Sequence, residues 1–268
     1  MKVVLFCGGA GMRLRGYSED VPKPMVTIGS RPVLWHVMKY YAHFGHKDFI
    51  LCLGYRADAI KNYFLKYEES VSNDFVFSQG GRKLEFMQRD IDDWKITFVD
   101  TGMRSTIGDR LRLVEPYLED EQVFLANYSD GLTDFKLPVL IEEFSRRDGY
   151  AGFLSVQPRS SSLDTVELCE DGHVKAIRSM KDSDVWVNGG YFVLRQEIFR
   201  YLRPGEELVY QPMQRMISEG RVWSHRYSGF WQCMDTFKDK QILDELEASG
   251  CAPWCLWKNG FAPSGARE

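Results

Sequence analysis

Three observations predict an α/β fold. Short apolar runs alternate with helical patterns through the first half, and glycines follow the first apolar run at once. Past the midpoint the pieces change character. Together they predict a Rossmann-like domain with a mostly parallel sheet flanked by helices and an antiparallel C-terminal elaboration.

VVLFC (3–7) is continuously apolar and closed by glycine, as a strand buried on both faces requires. From Pro32 to Phe44, Val33, Leu34, Val37, Met38, Tyr41 and Phe44 recur at helical spacing, and Gly45 stops the helix. FILCLG (49–54) is the next buried strand, and 56–66 reads as helix. KITFVD (95–100), QVFLANY (122–128) and GFLSV (152–156) are strands, separated by helical patterns at 106–118 and 136–147. Such alternation implies right-handed crossovers and parallel pairing. VKAIRSM, VWVNGGYFVL and RVWSHRY read as antiparallel pieces, and a final helix begins near Thr236. Residues 68–94 are polar and form an excursion from the sheet. With no linker in sight, 1–260 is expected to be a single domain, and 261–268 a disordered tail.

The composition is that of a globular protein, 44% hydrophobic and 27% charged, with a net charge of −4. Nucleic acid and anionic membranes are therefore not expected as partners, and any polyanion must be met by a few local cations. There is no apolar run long enough to span a bilayer and no secretory signal pattern at the N-terminus. The six cysteines are scattered, three of them in apolar runs, which predicts reduced, buried thiols and a cytoplasmic location. Cys251 and Cys255 form only a C-x-x-x-C pair, a weak zinc signal.

Glycines placed directly after a strand put backbone N–H groups at the carboxyl end of the sheet, where anions bind in open α/β folds. Two familiar fingerprints fail here. G-x-G-x-x-G would start at Gly9 and Gly11 but meets Leu14, and the phosphate loop would use Gly11 and Gly16 but finds Tyr17 in place of lysine. A plain glycine turn would account for Gly8 to Gly11, but not for the cations Arg13 and Lys23 downstream. Prolines on both sides of Lys23 predict an extended local backbone that holds its charge in place.

GGAGMRL followed by KPM resembles the G-G-x-G-T-R-L…K-P-M of the sugar-phosphate nucleotidyltransferases. RPVLWHVMKYY, DFILCLGY, VDTG, YSDGLTD, VNGGYFVL, GFWQCMDTFKDK and APW extend the resemblance over roughly 1–257, and point to the branch that makes CDP-glucose. The resemblance implies a GT-A-like nucleotidyltransferase fold, with a nucleotide-binding part at 1–150 and an acceptor-binding part at 151–260. It also implies a homo-oligomer, and cytidylyl transfer from CTP to a small phosphorylated acceptor such as glucose 1-phosphate, with release of pyrophosphate. Arg13, Lys23, Asp130 and Asp235 are then the catalytic candidates, with both aspartates holding Mg²⁺. Phe6, Cys7, Gly8, Gly9, Ala10, Gly11, Met12 and Arg13 would surround the nucleotide, together with Lys23, Ser105, Gly108, Arg110 and Ser129. Asn188 falls where the family contacts the sugar phosphate. The bland readings are a turn aspartate for Asp130, a helix N-cap for Asp235 and a strand-end turn for Asn188.

The chain departs from the family pattern at four places. Met12 replaces the loop threonine, and Asp109 in I-G-D-R is expected beside the triphosphate or base. Ser129 replaces the glycine of Y-G-D-G. The E-K-P segment is missing, with IRSMKDSD in its stead, and Lys181 and Arg178 are the candidates to replace its lysine. A different acceptor, whether another sugar 1-phosphate or a non-sugar phosphate, remains an alternative, as does a non-catalytic nucleotide-binding homologue. A dinucleotide-dependent oxidoreductase is disfavoured by Leu14.

Overall fold

The computed structural model describes residues 1–9, 21–158, 164–180 and 183–258. Ala10, Gly11, Met12, Arg13 and Lys181 lie outside the described residues, as does the tail 261–268.

β1 (Val3–Phe6) is buried at every position, as its unbroken apolar run requires. A two-residue ribbon, β2 (Thr27–Ile28) and β3 (Arg31–Pro32), leads into α1 (Val33–His43), which ends at Gly45 with φ +84°. β4 (Asp48–Leu53) and α2 (Ala57–Leu65) follow. The excursion at 68–94 holds a hairpin, β5 (Phe75–Ser78) and β6 (Lys83–Phe86). The chain returns through β7 (Lys95–Asp100), α3 (Ile107–Leu113), β8 (Val123–Asn127), the short β9 (Gly131–Thr133) and α4 (Leu137–Ser145).

β10 (Ala151–Val156) precedes a second separate ribbon, β11 (Asp164–Leu168) and β12 (Val174–Ser179). β13 (Val187–Arg195), α5 (Gln211–Ser218), β14 (Val222–Tyr227), β15 (Trp231–Cys233) and α6 (Phe237–Ala248) complete the fold. Seven strands form the main sheet in the order β14-β10-β13-β8-β1-β4-β7. All pairings are parallel except those of β13, which runs antiparallel to both β10 and β8. The sequence misleads at β14: RVWSHRY reads as antiparallel, yet it pairs parallel to β10, because α5 supplies the crossover that brings it back. VKAIRSM is antiparallel as expected, pairing only with β11 in its own ribbon.

Two apolar clusters cover the two faces. One gathers Leu5, Val37, Tyr41, Leu51 and Tyr191 beneath α1, and the other gathers Val4, Phe6, Ile50, Leu111 and Phe192. Each large side chain buried in this way contributes about 1.5–3 kcal/mol. Cys7, Cys52 and Cys255 are buried as expected, whereas Cys169 and Cys251 are exposed. Among the described residues, no helix is long and apolar enough to cross a membrane.

A polar knot ties the excursion to α1. Asp90 accepts from Lys39 at 2.7 Å, Ser72 at 2.6 Å and Asn73 at 3.0 Å, while Arg31 donates to Ser72 and to the Glu68 carbonyl. On the same helix His36 is buried between Ile28 and Trp254. Trp254 Nε1 can only donate, so Nδ1 of His36 accepts at 3.2 Å and Nε2–H donates to the Ile28 carbonyl at 3.1 Å. The ring is therefore held neutral, and burial lowers its pKa to about 4. The unfolded chain, with an ordinary histidine, binds more protons between pH 6.5 and 4, so stability falls as pH drops through that window. The urea midpoint should decline across it, and His36→Gln should flatten the decline; an unchanged slope in the variant would assign the effect elsewhere.

Candidate active site

Glycines 8 and 9 leave β1 at its carboxyl edge, and Asp130 leaves β8 at the same edge one strand away. The order β8-β1-β4 makes this the point where the connections diverge to either side of β1, the usual ligand crevice of open α/β sheets.

A small antiparallel ribbon brings the two aspartates together. β15 pairs with β9 so that Cys233 lies opposite Gly131, and the Met234 amide donates to the Asp130 carbonyl at 2.9 Å. Trp231 fixes the ribbon by donating to the Gly189 carbonyl at 2.9 Å. Asp235 then emerges beside Asp130. It is not the helix cap: Thr236 caps α6 in a capping box with Asp239, which leaves the Asp235 carboxylate for other work.

Lys23 closes the arrangement. Its Nζ lies 2.6 Å from Asp130 Oδ2 and 2.5 Å from Asp235 Oδ1. The extended backbone expected around Lys23 is not found. Lys23–Met25 form one 3₁₀ turn after an extended Pro22, with the Met25 amide bonded to the Pro22 carbonyl at 2.8 Å. Proline is at home in such a first turn, since its missing N–H would have no partner there. Burial lowers the ammonium's pKa, but the two carboxylates outweigh this and hold it above the ordinary value. Burial raises the Asp130 carboxyl, opposed by Lys23 and reinforced by Asp235. Cys233 Sγ sits 3.7 Å from Asp235 Oδ2.

Tyr128-Ser129-Asp130 turns sharply. Ser129 has φ +65°, a conformation that costs a non-glycine residue roughly 1–2 kcal/mol. Local bonds offset the cost: its amide donates to Asn127 Oδ1 at 2.7 Å and its hydroxyl to the Phe6 carbonyl at 2.9 Å. The glycine of the family motif at this position thus has a conformational origin, and the Ser129 hydroxyl is engaged with backbone.

Arg110 is buried, and its guanidinium braces the loop. It donates to the Gly8 carbonyl at 3.0 Å, the Leu53 carbonyl at 3.1 Å and Thr101 Oγ1 at 2.6 Å. A Cβ on Gly8 would fall 1.9 Å from an Arg110 nitrogen, and one on Gly54 2.9 Å from it. Gly8 is therefore small to admit Arg110, whereas Gly9 is exposed and a Cβ there meets nothing within 4 Å among the described residues. Phe6 and Cys7 are buried, and burial pushes the Cys7 thiol up to about 12. The Cys7 amide is bonded to the Cys52 carbonyl at 3.0 Å, and the Phe6 carbonyl accepts from Ser129.

Ser105 turns its hydroxyl to the Thr101 carbonyl, and Gly108 packs against the Glu206 carbonyl, which a Cβ would meet at 2.4 Å. Asp109 engages its carboxylate with the backbone and cap around α3. It is the third helical residue of α3, bonded to the Thr106 cap, and it accepts from the Gly205 amide at 2.9 Å. T-I-G-D is a capping signature, and that signal was legible in the sequence.

Asn188 donates to Tyr128 Oη at 3.2 Å and accepts from the Gly190 amide at 2.9 Å, at the edge of the same crevice. Arg178 is exposed on the separate β11–β12 ribbon. Sequence reasoning missed Tyr128 and Trp231 as the supports of Asn188 and the β9–β15 ribbon; aromatic residues flanking S-D-G and Q-C-M-D were the available signal.

A model of the family described as nucleotidyl transferase matches residues 2–202. Glucose-1-phosphate cytidylyltransferase of Salmonella typhi is 34% identical over 260 residues, covering 96% of this chain and 100% of that protein. A probable glucose-1-phosphate cytidylyltransferase of Bacillus subtilis is 34% identical over 259 residues, with coverage of 96% and 100%. The crystal structure of HddC from Yersinia pseudotuberculosis superposes with a TM-score of 0.68 at 21% identity, over 91% of this chain and 98% of that one.

Replacing Gly8 by alanine should destabilise the fold by about 1–3 kcal/mol through the clash with Arg110. Gly9→Ala should stay within about 0.5 kcal/mol. Chemical denaturation of both variants checks this, and equal costs would reject the packing role of Gly8.

Proposed function

The chain belongs to the nucleotidyl transferase family, and we propose that it transfers a cytidylyl group from CTP to a phosphorylated acceptor, first of all glucose 1-phosphate. The observation that carries this reading is the meeting of Lys23, Asp130 and Asp235 at the carboxyl edge of β8, the strand next to β1.

An acceptor phosphate oxygen is already ionised near neutral pH, so the reaction asks for no general base. It asks that two anions be brought together and that charge be neutralised as pyrophosphate leaves. Amides after β1 and Lys23 would supply that near the nucleotide phosphates, and Arg110 holds the Gly8 carbonyl at the start of the turn. Asn188, set by Tyr128, faces the acceptor side.

Asp130 and Asp235 suit Mg²⁺. Their oxygens flank one position that takes a cation, at present the Lys23 ammonium, and two carboxylates completed by substrate phosphates are what this ion favours. Among the described residues, no group of three or more His, Cys, Asp or Glu could hold a metal. Asp130 and Asp235 would hold the ion, with substrate phosphates as its further ligands. When bound, Mg²⁺ would offset charge developing on the transferred phosphoryl group and on pyrophosphate. Lys23 would then turn from the carboxylates to the phosphates.

The expected homo-oligomer belongs to the same proposal. The β5–β6 hairpin exposes Phe75, Phe77 and Leu84, and the β11–β12 ribbon exposes Val166, Leu168 and Ile177, apolar surfaces of the kind that association covers.

A matrix of nucleoside triphosphates against phosphorylated acceptors, read by pyrophosphate release, tests the reaction. CTP with glucose 1-phosphate should give the fastest release, and silence across the matrix would leave a nucleotide-binding protein without transfer. Asp235→Asn should lower turnover by at least about a hundredfold while melting is little changed. For the ammonium, Lys23→Met should tighten Mn²⁺ binding to the nucleotide-free protein about tenfold, the equivalent of about 1.4 kcal/mol, as measured by electron paramagnetic resonance. Weaker binding in that variant would show that Lys23 does not compete for the cation position.

A further inference from the structure

The carboxyl edge of the sheet carries a polar row that continues beyond Asn188. Ser155 of β10 is the register partner of Asn188 on β13 and of Arg226 on β14. Register partners on adjacent strands share a face, so Asn188, Ser155 and Arg226 stand in one line on one side of the sheet. Two strand spacings place the Arg226 backbone about 10 Å from that of Asn188.

The row is attached to the active ribbon at its near end. Asn188 is bonded to Tyr128, two residues before Asp130, and the next carbonyl, that of Gly189, accepts from Trp231 of β15. At its far end the Arg226 guanidinium lies over the Trp186 ring, 5.5 Å from its centre. Trp186 precedes Asn188 by two residues, so one short segment carries both the acceptor-side amide and the platform under the arginine. Arg226 is exposed, and among the described residues it forms no ion pair.

A guanidinium in cation–π contact with an indole has a preferred resting place, and its five N–H groups form a rigid fork. That fork suits neighbouring hydroxyls or an anionic oxygen. Arg178, the described candidate for the missing family lysine, stands on a two-stranded ribbon outside the main sheet. Arg226 stands on the sheet itself, in register with Asn188.

We propose that Arg226, positioned by Trp186, contacts the phosphorylated acceptor and is a specificity-determining residue on the acceptor side. The inference rests on the transferase reading above, and it assigns to β14 a role that the sequence patterns did not indicate. The acceptor class it fits is a phosphate ester bearing several hydroxyls, long enough to reach from the aspartate pair toward the third strand.

Steady-state pyrophosphate release with CTP and glucose 1-phosphate tests it, and the best acceptor of the panel replaces glucose 1-phosphate if that one is not used. Arg226→Ala should raise the acceptor KM about tenfold or more, while the KM for CTP stays within about twofold and the melting temperature is unchanged. Arg226→Lys should recover only part of the loss, since an ammonium lacks the planar fork. Trp186→Ala should shift the acceptor KM in the same direction. An unchanged acceptor KM in Arg226→Ala, or an equal rise for CTP, overturns the inference while the transferase reading stands. No release from the unaltered protein with any acceptor removes the transferase reading, and this inference with it.

Discussion

One ammonium group holds the centre of this molecule together. Lys23 comes from a turn near the N-terminus, Asp130 from the end of β8, and Asp235 from the approach to α6, yet all three side chains meet. The three side chains are only partly buried, 15–29% exposed, so the pairing sets their positions more than it sustains the fold. The supports around the trio follow from that constraint. The β9–β15 ribbon fixes the distance between the aspartates, Trp231 anchors the ribbon to β13, and the Thr236–Asp239 box caps α6 so that Asp235 does not have to.

The glycine loop follows a second constraint beneath the first. Arg110 is buried with neutral oxygen partners on three segments, the Gly8 and Leu53 carbonyls and the Thr101 hydroxyl. It bonds β1, β4 and the turn after β7 at the edge where the anion is expected. Gly8 is small because the guanidinium occupies the volume that its side chain would take, and Gly54 because the Gly102 and Gly8 carbonyls crowd it together with the guanidinium. The first glycine after the strand therefore has a packing cause, room for the Arg110 guanidinium at Gly8, which does not apply at the exposed Gly9.

Most of the strands and helices were legible because buried parallel strands and amphipathic helices have distinct periodicities, and VVLFC and FILCLG leave little choice. The strand direction of RVWSHRY was not legible, since pairing depends on the crossover made by α5 and on which neighbour is free. Asp130 and Asp235 could be picked out as residues, and the ribbon that joins them could not, because β9 and β15 have only three residues each. Local chemistry was the other blind spot. The prolines around Lys23 gave no hint of a 3₁₀ turn, and T-I-G-D was read for its charge when its capping pattern was the stronger signal.

The acceptor side resists sequence reading for a further reason. β13 runs against an otherwise parallel sheet, and its register to β10 shifts between Phe153 and Ser155 where Gly189 and Gly190 bulge. Gly190 has φ +78° and lies so close to the Tyr128 ring that a Cβ would come within 2.8 Å of it. That bulge turns Asn188 onto Tyr128 and brings Trp186 under Arg226. None of this is contained in a motif spacing, since it arises from three strands in register. A family lysine can be lost from such a surface and its charge supplied by another strand, because what the acceptor meets is the face of the sheet and not a segment of chain.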